Sequence, residues 1–100
     1  MSYRLIVDAG AEGDIDFAYR WYEERSRGLG ARFLDELESC FDRVVFNPMS
    51  YPEVEAGIHR ALPHAFPYLV FYVVEDETLH VLAVIRAAQD PVYIAQRLGV

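Results

Sequence analysis

Residues 66–86 read FPYLVFYVVEDETLHVLAVIR, two runs of β-branched and aromatic residues separated by the acidic break Glu75-Asp76-Glu77. That pattern predicts a β-hairpin. Tyr68, Val70, Tyr72 and Val74 are apolar on one parity and Leu69, Phe71 and Val73 on the other. Neither face is therefore built for bulk water, and both need cover. About 65 residues precede the hairpin and 14 follow it. Helices are expected over one face, and a tail or a partner protein over the other.

Upstream, Tyr3-Arg4-Leu5-Ile6-Val7 has the composition of a short strand, and Asp8 offers a helix N-cap, with Gly10 and Gly13 weakening the first turn. Helix 1 is expected to be firm from about Asp14. Ile15, Ala18, Tyr19 and Tyr22 recur at helical spacing as its core stripe, and Phe17 and Trp21 form a second aromatic ridge beside it, expected to pack on the next helix, with a partner surface as the alternative. Gly28-Leu29-Gly30 breaks the helix. A second amphipathic helix, with Phe33, Leu34, Leu37, Phe41, Val44 and Val45 apolar, follows and ends at Asn47-Pro48. Its outer face, with Arg32, Asp35, Glu36, Glu38, Asp42 and Arg43, has the mixed signs of a solvated surface.

Four of the five prolines lie between Pro48 and Pro67, which keeps strands short there; Ile58-His59-Arg60-Ala61-Leu62 is expected to be one, placed beside the hairpin. After Arg86, Asp90-Pro91 supplies a cap and a proline at the first helical position, opening a terminal helix that carries Tyr93, Ile94, Arg97 and Leu98. The resulting order is β-α-α-β-β-β-α: an α+β fold, with an N-terminal helical hairpin packed on a mostly antiparallel sheet. A terminal helix of about eight residues is roughly 12 Å long, too short to shield a whole sheet face.

One hundred residues, 53% of them hydrophobic, fit one folded domain over 1–100. A net charge of -7, with arginine as the only cation besides histidine, argues against wide capture of phosphate backbones. Cys40 stands alone, which excludes an internal disulfide, and its helical setting marks it as a packed small hydrophobe. His59, His64 and His80 lack the spacing of a metal site or a triad. His80 is expected to be structural, His59 and His64 to lie in loops or at strand edges. No cofactor is implied. Without a signal-peptide pattern or an apolar run long enough for a membrane helix, the chain is expected to be cytoplasmic.

Taken in order, Asp14-Ile15 with Ala18, Trp21-Tyr22-Glu23, Gly28-Leu29-Gly30 with Phe33, Pro48 and Pro52, Arg60 before Phe66-Pro67-Tyr68, Tyr72, Val81-Leu82-Ala83-Val84 and Asp90-Pro91 resemble the RelE/ParE toxin superfamily, on its ParE side. The resemblance covers nearly the whole chain. It implies the toxin of a type II toxin-antitoxin system, with a cognate antitoxin wrapped across the helical hairpin and sheet, and a hetero-oligomer of the two.

Two activities occur in that superfamily. ParE-like members poison DNA gyrase without catalysis of their own, whereas RelE-like members cut messenger RNA on the ribosome. RNA cleavage needs several cations converging on one phosphate, which RelE-like members supply with basic residues and an aromatic; the candidates are Arg60, Arg86 and Arg97, with Tyr93 as the aromatic. Many relatives carry a His and one or two Arg where this chain has Arg86-Ala87-Ala88-Gln89, and an arginine is a poor general base. A non-catalytic gyrase poison is thus the leading expectation, with a RelE-like endonuclease and a non-toxic antitoxin-binding module as alternatives. Arg60, Arg86, Tyr93, Arg97, Phe17 and Trp21 are the candidate contacts for target or antitoxin, Arg60 and Arg86 being expected on neighbouring strands. Arginine suits such contacts because its planar fork grips carboxylates and phosphates at two points.

Overall fold

In the computed structural model, which describes residues 3–100, the chain runs β1 (Arg4–Val7), α1 (Ala9–Arg25), α2 (Leu29–Phe46), a 3-10 turn (Pro48–Ser50), β2 (Glu53–Glu55), β3 (Ile58–Ala61), β4 (Tyr68–Glu75), β5 (Thr78–Arg86) and α3 (Pro91–Leu98). The sheet order is β1-β5-β4-β3-β2. All neighbours are antiparallel except β1, which lies parallel to β5. The expected α+β order is present, with one strand more. β2 escaped the sequence reading because its three exposed residues, Glu53-Val54-Glu55, carry a single apolar side chain and pair only with β3, at a bulge.

Helix α1 begins at Ala9, a turn and a half before Asp14. Glycine propensity loses to packing here: Ala11 is fully buried against the sheet, and that contact holds the first turns despite Gly10 and Gly13. Asp8 does sit at the N-cap, yet its side chain makes no capping bond. Its Oδ1 lies 3.3 Å from His80 Nδ1 instead.

The turn between α1 and α2 explains Glu23 and both glycines. The Glu23 carboxylate accepts the N–H of Gly28 at 3.0 Å and that of Gly30 at 2.9 Å, so the end of one helix caps the start of the next. Gly28 sits at φ 89°, where a side chain would be strained. A Cβ on Gly30 would stand 2.8 Å from both the ring and the carbonyl oxygen of Tyr19, so the glycine sets how closely the helices approach.

On the first face of the sheet the helical pair buries Ala18, Phe33, Leu37, Cys40 and Val44 against Val70, Tyr72, Leu79, Val81 and Val84. Tyr22, Phe33, Phe66 and Tyr68 close its end, with neighbouring ring centroids 5.0 to 5.5 Å apart. The Tyr72 hydroxyl donates to Pro48 O at 2.6 Å and anchors the 3-10 turn. The second face carries Ile58, Phe71, Ala83 and Ile85, and among the described residues α3 alone lies over it, through Ile94 and Leu98. No residue of α3 is fully buried. A bulge skips Leu82 in the pairing of β4 with β5, so Leu82 and Ala83 both join this second cluster. Both faces are thus apolar, as the hairpin sequence requires, and the second is only partly covered.

Candidate functional site

β1 ends at Val7, opposite Val81, while β5 runs on to Arg86. The last part of β5 therefore has a free edge, with α1 on one side of the sheet and α3 on the other. Asp14 of α1 reaches over it. Its Oδ2 accepts the Val84 N–H at 3.0 Å, replacing the ladder bond that a longer β1 would have made. Arg97 of α3 meets the same carboxylate with both forks, Nη1 to Oδ1 at 2.8 Å and Nη2 to Oδ2 at 2.7 Å. Arg97 Nη1 also donates to the Tyr93 hydroxyl at 2.9 Å. The hydrogen bonds to Asp14 hold the Arg97 guanidinium above even its ordinary high pKa.

Beside this clasp opens a cleft of about 560 Å³, lined by Phe17, Tyr68, Arg86, Gln89, Tyr93 and Arg97 among others. Arg86 is exposed and is the cross-strand partner of Tyr68. Among the described residues Arg86 belongs to no ion pair. Burial first, and the neighbouring Tyr22 second, push the Tyr68 hydroxyl up to about 12 against the opposing pull of Arg86, so at neutral pH it is a hydrogen-bonding group and not a base. The cleft can thus hold an anion against Arg86 and an aromatic or apolar group against Phe17 and Tyr68. Among the described residues that line it, none is suited to remove a proton near neutral pH other than Asp14, which is already engaged.

Phe17 stands at the rim, 71% exposed, and Trp21 follows one turn on at 39%. The Arg25 guanidinium lies 3.4 Å above the Trp21 ring. The expectation that this ridge packs on the next helix is wrong: Phe17 points into solvent and Trp21 is half covered, so the ridge is a surface feature, and Phe17 joins it to the cleft.

Arg60 is elsewhere. β4 lies between β3 and β5, so the expectation of neighbouring strands for Arg60 and Arg86 is wrong. The strand order inserts the long hairpin arm between them, and the parity differs as well. Arg60 pairs with Phe71, a second-face residue, while Arg86 pairs with Tyr68, a first-face residue. Arg86, Tyr93 and Arg97 share a cleft; Arg60 lines a different one, beneath α3.

The histidines divide as well. His80, on β5, pairs with Asp8 as a structural contact. His59 is not the strand-edge residue expected: it is buried within β3, with Nδ1 2.9 Å from Tyr51 O and its ring stacked 5.3 Å from that of Tyr72. Next to a carbonyl oxygen, Nδ1 must carry the proton. His64 is exposed outside any strand. Cys40 is fully buried, and burial pushes its thiol pKa up, as suits a packed side chain. Among the described residues no His, Cys, Asp and Glu cluster could hold a metal ion, and no helix is long and apolar enough to cross a membrane.

Asp14, Tyr68 and Gln89 line the cleft but were not among the candidate contacts read from the sequence. For Asp14 the signal was there: it lies three residues after Ala11 and four before Ala18, both buried, so an acid falls on the core-facing stripe and needs a cation.

Comparison with known proteins follows the same lines. A family model described as the ParE toxin of type II toxin-antitoxin system, parDE, matches residues 5–91. Among solved structures, the chain is similar to one from the chromosomal ParDE TA system from P. aeruginosa, with a TM-score of 0.75 over 84% of this chain and 95% of that one. At 14% identity that likeness speaks for the fold. A search of curated proteins gives no significant match.

Proposed function

This chain belongs to the ParE toxin family of type II toxin-antitoxin systems, and we propose that it acts by binding DNA gyrase, without catalysing a reaction of its own, and is neutralised by a cognate antitoxin. The observation that carries this reading is the separation of its cations. Arg60 faces the other side of the sheet, and Arg97 is closed onto Asp14, which leaves Arg86 as the cation of the cleft without an ion-pair partner among the described residues. A phosphorane forming at that site would meet one free guanidinium and no general base, too little for efficient phosphodiester cleavage. Surface poisoning needs neither. It needs an exposed anchor, and Phe17, Trp21, Arg86 and Tyr93 supply aromatic and arginine side chains of the kind that dominate protein interfaces.

Arg97 enters the proposal as the residue that holds α3 in place, and the other candidates as contacts. The test is induced expression without a partner, followed by growth. Arrest is expected, with Arg86→Ala and Phe17→Ala each relieving it while leaving the folded protein intact. Unimpaired growth would point to a non-toxic module on the same fold. Ribosome-stalled messenger cut at the codon in the A site would point to the RelE-like alternative.

A further inference from the structure

A second cleft, of about 250 Å³, lies under α3 on the second face of the sheet. Its walls are aliphatic and aromatic, with Leu69 and Phe71 from β4 and Ile94 and Leu98 from α3, and two ionisable side chains, Arg60 and Glu55, also line it. The Nε of Arg60 is buried without a hydrogen-bond partner; it is the one such side-chain nitrogen or oxygen among the described residues. Glu55 lines the same cleft, yet no ion pair of the described residues includes Arg60. An arginine stays charged at every relevant pH, so a buried Nε–H left bare is a standing cost that an incoming acceptor would remove.

We infer that this cleft seats a carboxylate side chain carried on an aliphatic segment of the partner antitoxin, held side-on by Arg60 through Nε and the adjacent Nη. The inference rests on the reading of the chain as a toxin with such a partner. Three features select that chemistry. The Nε/Nη edge of a guanidinium matches the two oxygens of a carboxylate. The surrounding Leu69, Phe71, Ile94 and Leu98 suit the apolar neighbours of a singly charged acid better than a doubly charged, more strongly hydrated phosphate. The net charge of -7 gives no broad attraction for a nucleic acid backbone, so binding must be decided locally. Arg60 and Arg86 then have separate duties, the first toward the antitoxin and the second toward the target, on opposite faces of one sheet.

The Nε–Hε correlation of Arg60 in a nitrogen-15 spectrum of the full chain reads this site directly. The probes are acetyl-Leu-Glu-Leu-amide, its glutamine counterpart, and inorganic phosphate. A saturable shift of the Arg60 signal with the glutamate peptide alone is expected, with the Arg86 signal unmoved. Arg60→Lys keeps the charge but loses the fork, and should weaken peptide binding by roughly tenfold or more. Equal shifts with the glutamine peptide, a response to phosphate, movement at Arg86 in place of Arg60, or no response to any probe would each overturn the inference. The wild-type titration decides without the variant, and since it does not measure growth arrest, its failure leaves the toxin reading standing.

Discussion

Asp14 and Arg97, 83 residues apart in sequence, join α1 to α3 through a two-point ion pair that closes over the free edge of β5. The same carboxylate holds the Val84 N–H. One acid thus completes a strand, cancels an arginine and fixes the terminal helix. With side-chain exposures of 16% for Asp14 and 25% for Arg97, the pair is largely but not wholly removed from water.

Breaking it from the α3 side should be costly. Arg97→Ala is expected to lose about 2 kcal/mol in urea unfolding, below the ~3–5 kcal/mol of a fully buried pair because solvent reaches both partners. Arg97→Lys should recover less than half, since an ammonium cannot make both bonds at once. Hydrogen exchange should speed up in α3, and no change there would show that Ile94 and Leu98 hold the helix by themselves.

The Tyr72 hydroxyl is another long-range polar tie. Tyr72→Phe leaves Pro48 O without its donor at a buried site, and a loss of about 1–2 kcal/mol is expected. Denaturant midpoints of the two proteins measure it. Equal midpoints would mean that the carbonyl finds another partner.

The packing of α1 on α2 rests on Gly30. Gly30→Ala brings a methyl within 2.8 Å of the Tyr19 carbonyl oxygen, and the helices must part, costing about 1–3 kcal/mol. Glu23→Ala should cost about 1 kcal/mol through the lost cap alone. The two variants should differ in thermal melting in that order; the reverse order would contradict the close-approach argument.

What the sequence made legible was the pattern carried by apolar spacing. The hairpin from Tyr68 to Arg86, both helices of the pair and the Asp90-Pro91 start of α3 follow from runs and caps that act locally. β2 was hidden because an exposed edge strand needs no apolar alternation. The early start of α1 was hidden because the burial of Ala11 is a tertiary event. The clasp was half visible, as an acid on a buried stripe, but its partner 83 positions away could not be chosen from nine arginines. The relation of Arg60 to Arg86 was misread because strand order, and with it which residues share a face, is set by topology and a bulge at Leu82 that no local pattern announces.

Alkaline pH offers a test of the buried tyrosines. Burial raises the pKa of Tyr68 to about 12 and raises Tyr72 as well, above the ordinary value near 10 of an unfolded chain. Above pH 10 the unfolded chain has released protons that the folded one keeps. Stability is therefore full below about pH 10 and falls as pH rises through about 12. Tyrosinate absorbance followed against pH should show two of the seven tyrosines titrating late, together with unfolding. Titration of all seven near pH 10 without unfolding would contradict the packing described.

The proposed poisoning of gyrase through Arg86, a cation without an ion-pair partner among the described residues, is read by adding the purified chain to DNA gyrase, ATP and relaxed plasmid. Loss of supercoiling is expected, with accumulation of gyrase-cleaved plasmid at rising toxin, weakened at least about tenfold by Arg86→Ala, the effect of losing one charged interface contact, and unchanged by Arg60→Lys. Gyrase that works normally in a large excess of the folded chain would contradict it.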